Sequence, residues 1–127
     1  MSGKRLLIVT AIIEVGVGLA LLISPALTAW ILIGASFDTP ADSIVGRVGG
    51  AAILSLALAC WCARNDEHSR SANGIVSAML LYNVATAATL IYAGTGLRLS
   101  GIGLWPAVVI HTAMSVWCLS NLLTKRS

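Results

Sequence analysis

Four long apolar runs, separated by short polar breaks, set the pattern of this chain. The first extends from Leu6 to Ile23 and carries a single charge, Glu14. A second, from Ser43 to Ala63, has Arg47 near its start. Neither Ala72 to Ala93 nor Ile102 to Leu123 contains a charge, although Asn83 and His111 sit near their middles. About 20 mostly apolar residues cross a hydrocarbon core of roughly 30 Å. The pattern therefore predicts four membrane spans, at 6–23, 43–63, 72–93 and 102–123, in one domain covering 1–127. Asn65–Arg70 and Gly94–Gly101 are short links, so successive helices should be antiparallel neighbours. The predicted fold class is all-α, an integral membrane four-helix bundle in up-down order.

The longest connection, Ser24 to Asp42, contains a further apolar stretch, Ala26 to Ile33. Helix one cannot simply absorb it, because Leu6 to Ile33 would be about 42 Å long at 1.5 Å per residue. Pro25 invites a bend there. Ala26 to Gly34 is expected to lie along the outer interface with Trp30 as anchor, and a kinked continuation of helix one is the alternative.

Composition agrees with the pattern: 57% of residues are hydrophobic and 10% charged, with a mean hydropathy of +0.90. Soluble domains carry about 25% charged residues. A soluble enzyme, a disordered chain, a collagen-like fibre and a nucleic-acid-binding module are thereby excluded. Three cysteines do not make a disulfide framework. Lys4, Arg5, Arg64, Arg70, Lys125 and Arg126 fall on one side of the four-span arrangement, and Arg98 on the other. The positive-inside rule then puts both termini in the cytoplasm. A signal peptide has a similar N-terminal outline, but Glu14 within the run and the length of the run favour a span. A bacterial inner membrane, crossed several times, is the expected address, with membrane lipids and either a second copy of the chain or another membrane protein as expected partners.

Charged and polar groups are costly inside a membrane and should face protein or water. One falls in each span: Glu14, Arg47, Asn83 and His111. Counted from the outer ends, Glu14 lies about 14 Å deep and Arg47 about 6 Å. A long arginine side chain can close much of that gap, so a Glu14–Arg47 pair is the structural expectation, and a titrating Glu14 is the functional one. Asn83 and His111 lie near the same depth, so the four form an expected intramembrane polar cluster. Gly46 and Gly50, with Gly49 beside them and Gly16 on helix one, are the expected sites of close helix packing. Cys60 and Cys62 point to opposite sides of a helix and cannot share a metal. Asp66-Glu67-His68 reads as a solvated hairpin. No metal site, catalytic residue or resident cofactor is read from the residues. A haem held by two histidines would need a dimer, because His111 is the one histidine within a span.

Gly18-Leu19-Ala20-Leu21-Leu22-Ile23-Ser24-Pro25, the short apolar segment after it, Gly46-Arg47-Val48-Gly49-Gly50-Ala51-Ala52 and Trp61-Cys62-Ala63-Arg64 resemble the DoxX-like small bacterial four-helix membrane proteins. That resemblance spans Leu6 to Leu123 and implies an inner-membrane four-helix bundle. Some members of the family are linked to quinone-coupled oxidation of sulfur compounds, but no catalytic residue carries over to this chain. Ala11-Ile12-Ile13-Glu14-Val15 is similar to the essential-glutamate region of small multidrug-resistance exporters. The long outer segment, Arg47 and the Gly46–Gly50 motif depart from that pattern. Three functions follow as expectations. The first is a non-enzymatic membrane component with an intramembrane polar cluster. The second is a proton-coupled small-solute transporter using Glu14. The third is a redox subunit holding a quinone or haem near His111 and Arg47.

Overall fold

The computed structural model describes residues 3–124, so Lys125 and Arg126 of the cationic set lie outside the described residues. Five helices follow one another: α1 Gly3–Ile23, α2 Pro25–Ile33, α3 Pro40–Ala63, α4 Arg70–Thr95 and α5 Leu104–Thr124. Four of them are long and apolar enough to cross a membrane, and the short one is α2. Local chemistry sets the boundaries. Ser24 is extended, at φ −140° and ψ 74°, and Pro25 starts α2, which separates α1 from α2. Gly34 ends α2 in the left-handed region, at φ 72°, a conformation that costs glycine little. The third helix begins three residues before the expected Ser43, because Thr39 and Asp42 form a reciprocal capping box around Pro40. Ser69 caps α4 by accepting from the Ala72 N–H at 3.0 Å.

The four long helices close into a ring. The tightest pairs are α1 with α3 and α4 with α5, and looser α3–α4 and α1–α5 contacts complete it. Gly3 adjoins Glu67 and Asn121, which places the start of α1, the end of α5 and the α3–α4 loop at one end. We call this the terminal end. The α4–α5 loop and α2 occupy the other, where the Gly103 N–H donates to the Ile31 carbonyl at 2.9 Å. Gly101 packs so closely on the Ile31–Ile33 backbone that a Cβ there would overlap it. The expected interfacial segment is thus a short helix docked across one end of the bundle. Trp30, Tyr92 and Trp105 are exposed around that end, as interfacial aromatics should be.

Two apolar cores fill the ring. Leu6, Leu7, Ala11, Cys60, Val76, Met79, Met114 and Cys118 form the one toward the terminal end. Leu90, Ala93, Leu104 and Val108 form the other, under α2. The outward face is apolar too, with Ile12, Leu81 and Val109 each more than 60% exposed. Such a surface is stable only against lipid. The chain is a small multi-pass membrane protein.

Candidate functional site

A polar layer separates the two cores. Glu14 of α1 is buried (3% exposed), and so is Asn83 of α4 (1%). Tyr82, next to Asn83, donates its hydroxyl proton to the Glu14 carboxylate at 3.2 Å. This bond crosses the bundle between two helices that are not neighbours in the ring. The Tyr82 ring also meets the His111 ring of α5 edge-on, with centroids 5.6 Å apart. His111 Nδ1 lies 2.7 Å from Asn83 Oδ1, while Asn83 Nδ2 donates to the Met79 carbonyl at 2.7 Å. An amide oxygen only accepts, so this geometry assigns the ring proton to Nδ1 and leaves Nε2 of the neutral imidazole with a lone pair. Ser115 does not bind the imidazole: its hydroxyl donates to the His111 carbonyl at 2.8 Å.

Arg47 does not join this layer. Its guanidinium donates to the Leu22 carbonyl, about 12 Å from Glu14 along α1. The expected Glu14–Arg47 pair is thus corrected, and the reason lies in helix ends. The last carbonyls of a helix lack intrahelical partners, and Pro25 removes one donor that could have served them. A cation at a helix C-terminus is also favoured by the helix dipole. Arg47 serves as a cap for α1 supplied by another helix. At the opposite end, the Glu67 carboxylate accepts from the Lys4 backbone N–H, so an anion meets the positive end of the same helix. Asp66-Glu67-His68 is therefore more than a solvated hairpin.

No family model matches the chain, nor does any curated protein or solved structure.

The packing glycines divide. A Cβ on Gly50 would stand 2.7 Å from the Gly18 carbonyl oxygen, and one on Gly46 would stand 2.7 Å from the Phe37 ring. These two hold α3 against α1, Pro25 and Phe37. Gly16 and Gly49, expected as packing sites, have no heavy atom within 4 Å of where a Cβ would sit. Each is turned away from the contact, since neighbours on a helix are rotated by about 100°. Gly18 is the true partner of Gly50. Cys60 and Cys118 are buried in the core near the terminal end and Cys62 is exposed. Among the described residues, no group of three or more His, Cys, Asp or Glu is placed to hold a metal.

Sequence reasoning missed one residue of the site, Tyr82. Tyr82 carried a usable signal, because a buried tyrosine hydroxyl needs a partner and mid-span is far from the aromatic belts. Trp117 is partly buried against the terminal-end core. On the lipid side of α1, an apolar groove of about 400 Å³ runs along α3, lined by residues that include Ile12, Val15, Leu54, Leu58 and Trp61. Ile12 and Val15 point out while Glu14 points in, but buried Ala11 and Ala57 also line the groove, so its floor reaches the bundle interior about one turn from Glu14.

Proposed function

We propose that this chain is a non-enzymatic component of a bacterial inner membrane that binds and releases a proton at Glu14, in the manner of a proton-coupled transporter. One observation carries the reading. Glu14 is buried between the two cores, bonded to a neutral hydroxyl, while Arg47 is engaged at Leu22. An acid held in an ion pair must break that pair to take up a proton. Glu14 faces no such obstacle. As a carboxylate it accepts the Tyr82 bond, and as a carboxylic acid it keeps an acceptor oxygen for Tyr82 and gains an O–H that needs an acceptor of its own. Protonation thus adds a donor beside the Tyr82 hydroxyl, and Tyr82 in turn meets the His111 ring, so the change in hydrogen bonding on α1 adjoins both α4 and α5. The reading places Lys4, Arg5, Arg64 and Arg70 on the cytoplasmic side, by the positive-inside rule.

The test is infrared spectroscopy of the protein in lipid vesicles between pH 5 and 9. A carboxylic-acid C=O band that changes with pH, and that Glu14→Gln removes, is the expected result. Tryptophan fluorescence should follow the same pH dependence in the wild type and in His111→Gln, and lose it in Glu14→Gln. A band that is absent at every pH, or one that Glu14→Gln leaves in place, would overturn the reading.

A further inference from the structure

Among the described residues, three buried side-chain atoms have no hydrogen-bond partner: Thr10 Oγ1, Trp117 Nε1 and Asn121 Oδ1. All three lie on the same side of Glu14, toward the terminal end. Thr10 is 2% exposed and Asn121 is 6% exposed. Desolvated polar atoms without partners are rare and costly in folded proteins. Three of them on two adjoining helices call for a common cause.

Their order along the helices supplies one. Gly3 and Asn121 are level, since a Cβ on Gly3 would stand 3.1 Å from Asn121 Nδ2. Climbing from there, Trp117 is one turn up α5, about 6 Å, and Thr10 is two turns up α1, about 10 Å. Glu14 is one further turn above Thr10. The side chains of residues four apart on a helix lie about 5–6 Å from each other, the distance that one water spans with two hydrogen bonds. The donors and acceptors are complementary as well. Trp117 Nε1–H donates, Asn121 Oδ1 accepts and the Thr10 hydroxyl does both. A buried water needs two to four such partners.

Apolar cores lie on both sides of Glu14, and the two sides differ in their polar atoms. No partnerless polar atom occurs on the α2 side among the described residues.

We propose that Asn121, Trp117 and Thr10 bind a short file of water that carries protons between the terminal end and Glu14, so that in this conformation of the bundle Glu14 exchanges its proton with the terminal side. A hydronium at the Thr10 hydroxyl gives its proton to the Glu14 carboxylate and leaves water, and release runs in reverse. The titratable groups around Glu14 are Tyr82 from α4 and Cys60 from α3, which lies within its electrostatic reach. His111 of α5 adjoins Tyr82. None of these belongs to the proposed file.

This inference rests on the proton-binding reading of Glu14, and its test separates the two. The rate of hydrogen–deuterium exchange of the Glu14 C=O band is measured in the full chain in lipid vesicles. Thr10→Val and Asn121→Leu should each slow that exchange at least tenfold. Thr10→Ser, which keeps the hydroxyl and alters the packing, should exchange at the wild-type rate. Wild-type exchange in both Thr10→Val and Asn121→Leu, with the Glu14 band present, would overturn the water file and leave the proton-binding reading standing. Equal slowing in Thr10→Ser and Thr10→Val would overturn it too, since packing rather than the hydroxyl would then set the rate. Absence of the Glu14 band at every pH would overturn both.

Discussion

Polar residues in hydrocarbon identify themselves by cost, and that is why Glu14, Asn83 and His111 were legible from the sequence. Their partners were less so. Depth along a helix follows from counting residues, but the direction around the helix axis depends on which face packs. Gly46 and Gly50 face α1 and its junction with α2, so Arg47, rotated by about 100° from Gly46, passes along the edge of α1 and reaches Leu22 rather than the interior. Tyr82 faces the interior and takes the partner expected of Arg47. The bond it makes is testable. Interhelical polar contacts in membrane bundles average about 0.6 kcal/mol and reach about 1.7 kcal/mol. Tyr82→Phe should therefore lower unfolding stability by about 1 kcal/mol, read by denaturant titration in detergent. No loss would mean that the 3.2 Å bond to Glu14 contributes nothing.

At the scale of elements, the four spans were legible almost to their ends, because length and hydropathy decide them. The starts of α1 and α3 were not. Both open with polar or flanking residues that add nothing to hydropathy, and at α3 Thr39 and Asp42 form the cap. The α1–α3 contact was read from its glycines, but of the four only Gly50 abuts α1, while Gly46 packs on Pro25 and Phe37. A Cβ at Gly50 meets the Gly18 backbone oxygen, and backbone yields less readily than a flexible side chain. Overpacking of this kind costs about 1–3 kcal/mol, so Gly50→Ala should lower the melting temperature clearly. Gly49→Ala and Gly16→Ala, with open space around them, should be neutral or gain up to about 1 kcal/mol from helix propensity. A Gly49→Ala protein as damaged as Gly50→Ala would contradict this assignment of faces.

For the whole molecule, the cationic residues predict one orientation. In a background where exposed Cys62 is replaced by serine, a cysteine at Ser100 should react with a membrane-impermeant reagent from outside the cell, and one at His68 should not. Reaction at His68 from outside would reverse the membrane orientation. Arg47 caps α1, and Glu14, which we propose as a proton site, stands apart from it. A buried ion pair that loses one member is typically destabilised by about 3–5 kcal/mol, because a charge is left uncompensated. Independent sites give additive effects within about 0.3–0.5 kcal/mol. The decisive measurement is the unfolding free energy of Glu14→Gln, Arg47→Met and the double variant in one detergent. The account predicts that Glu14→Gln stays close to wild type, that Arg47→Met loses about 1–3 kcal/mol through an unpaired helix-end carbonyl, and that the double variant shows their sum. A severe loss in Glu14→Gln that Arg47→Met restores would contradict it and return the two residues to a buried pair.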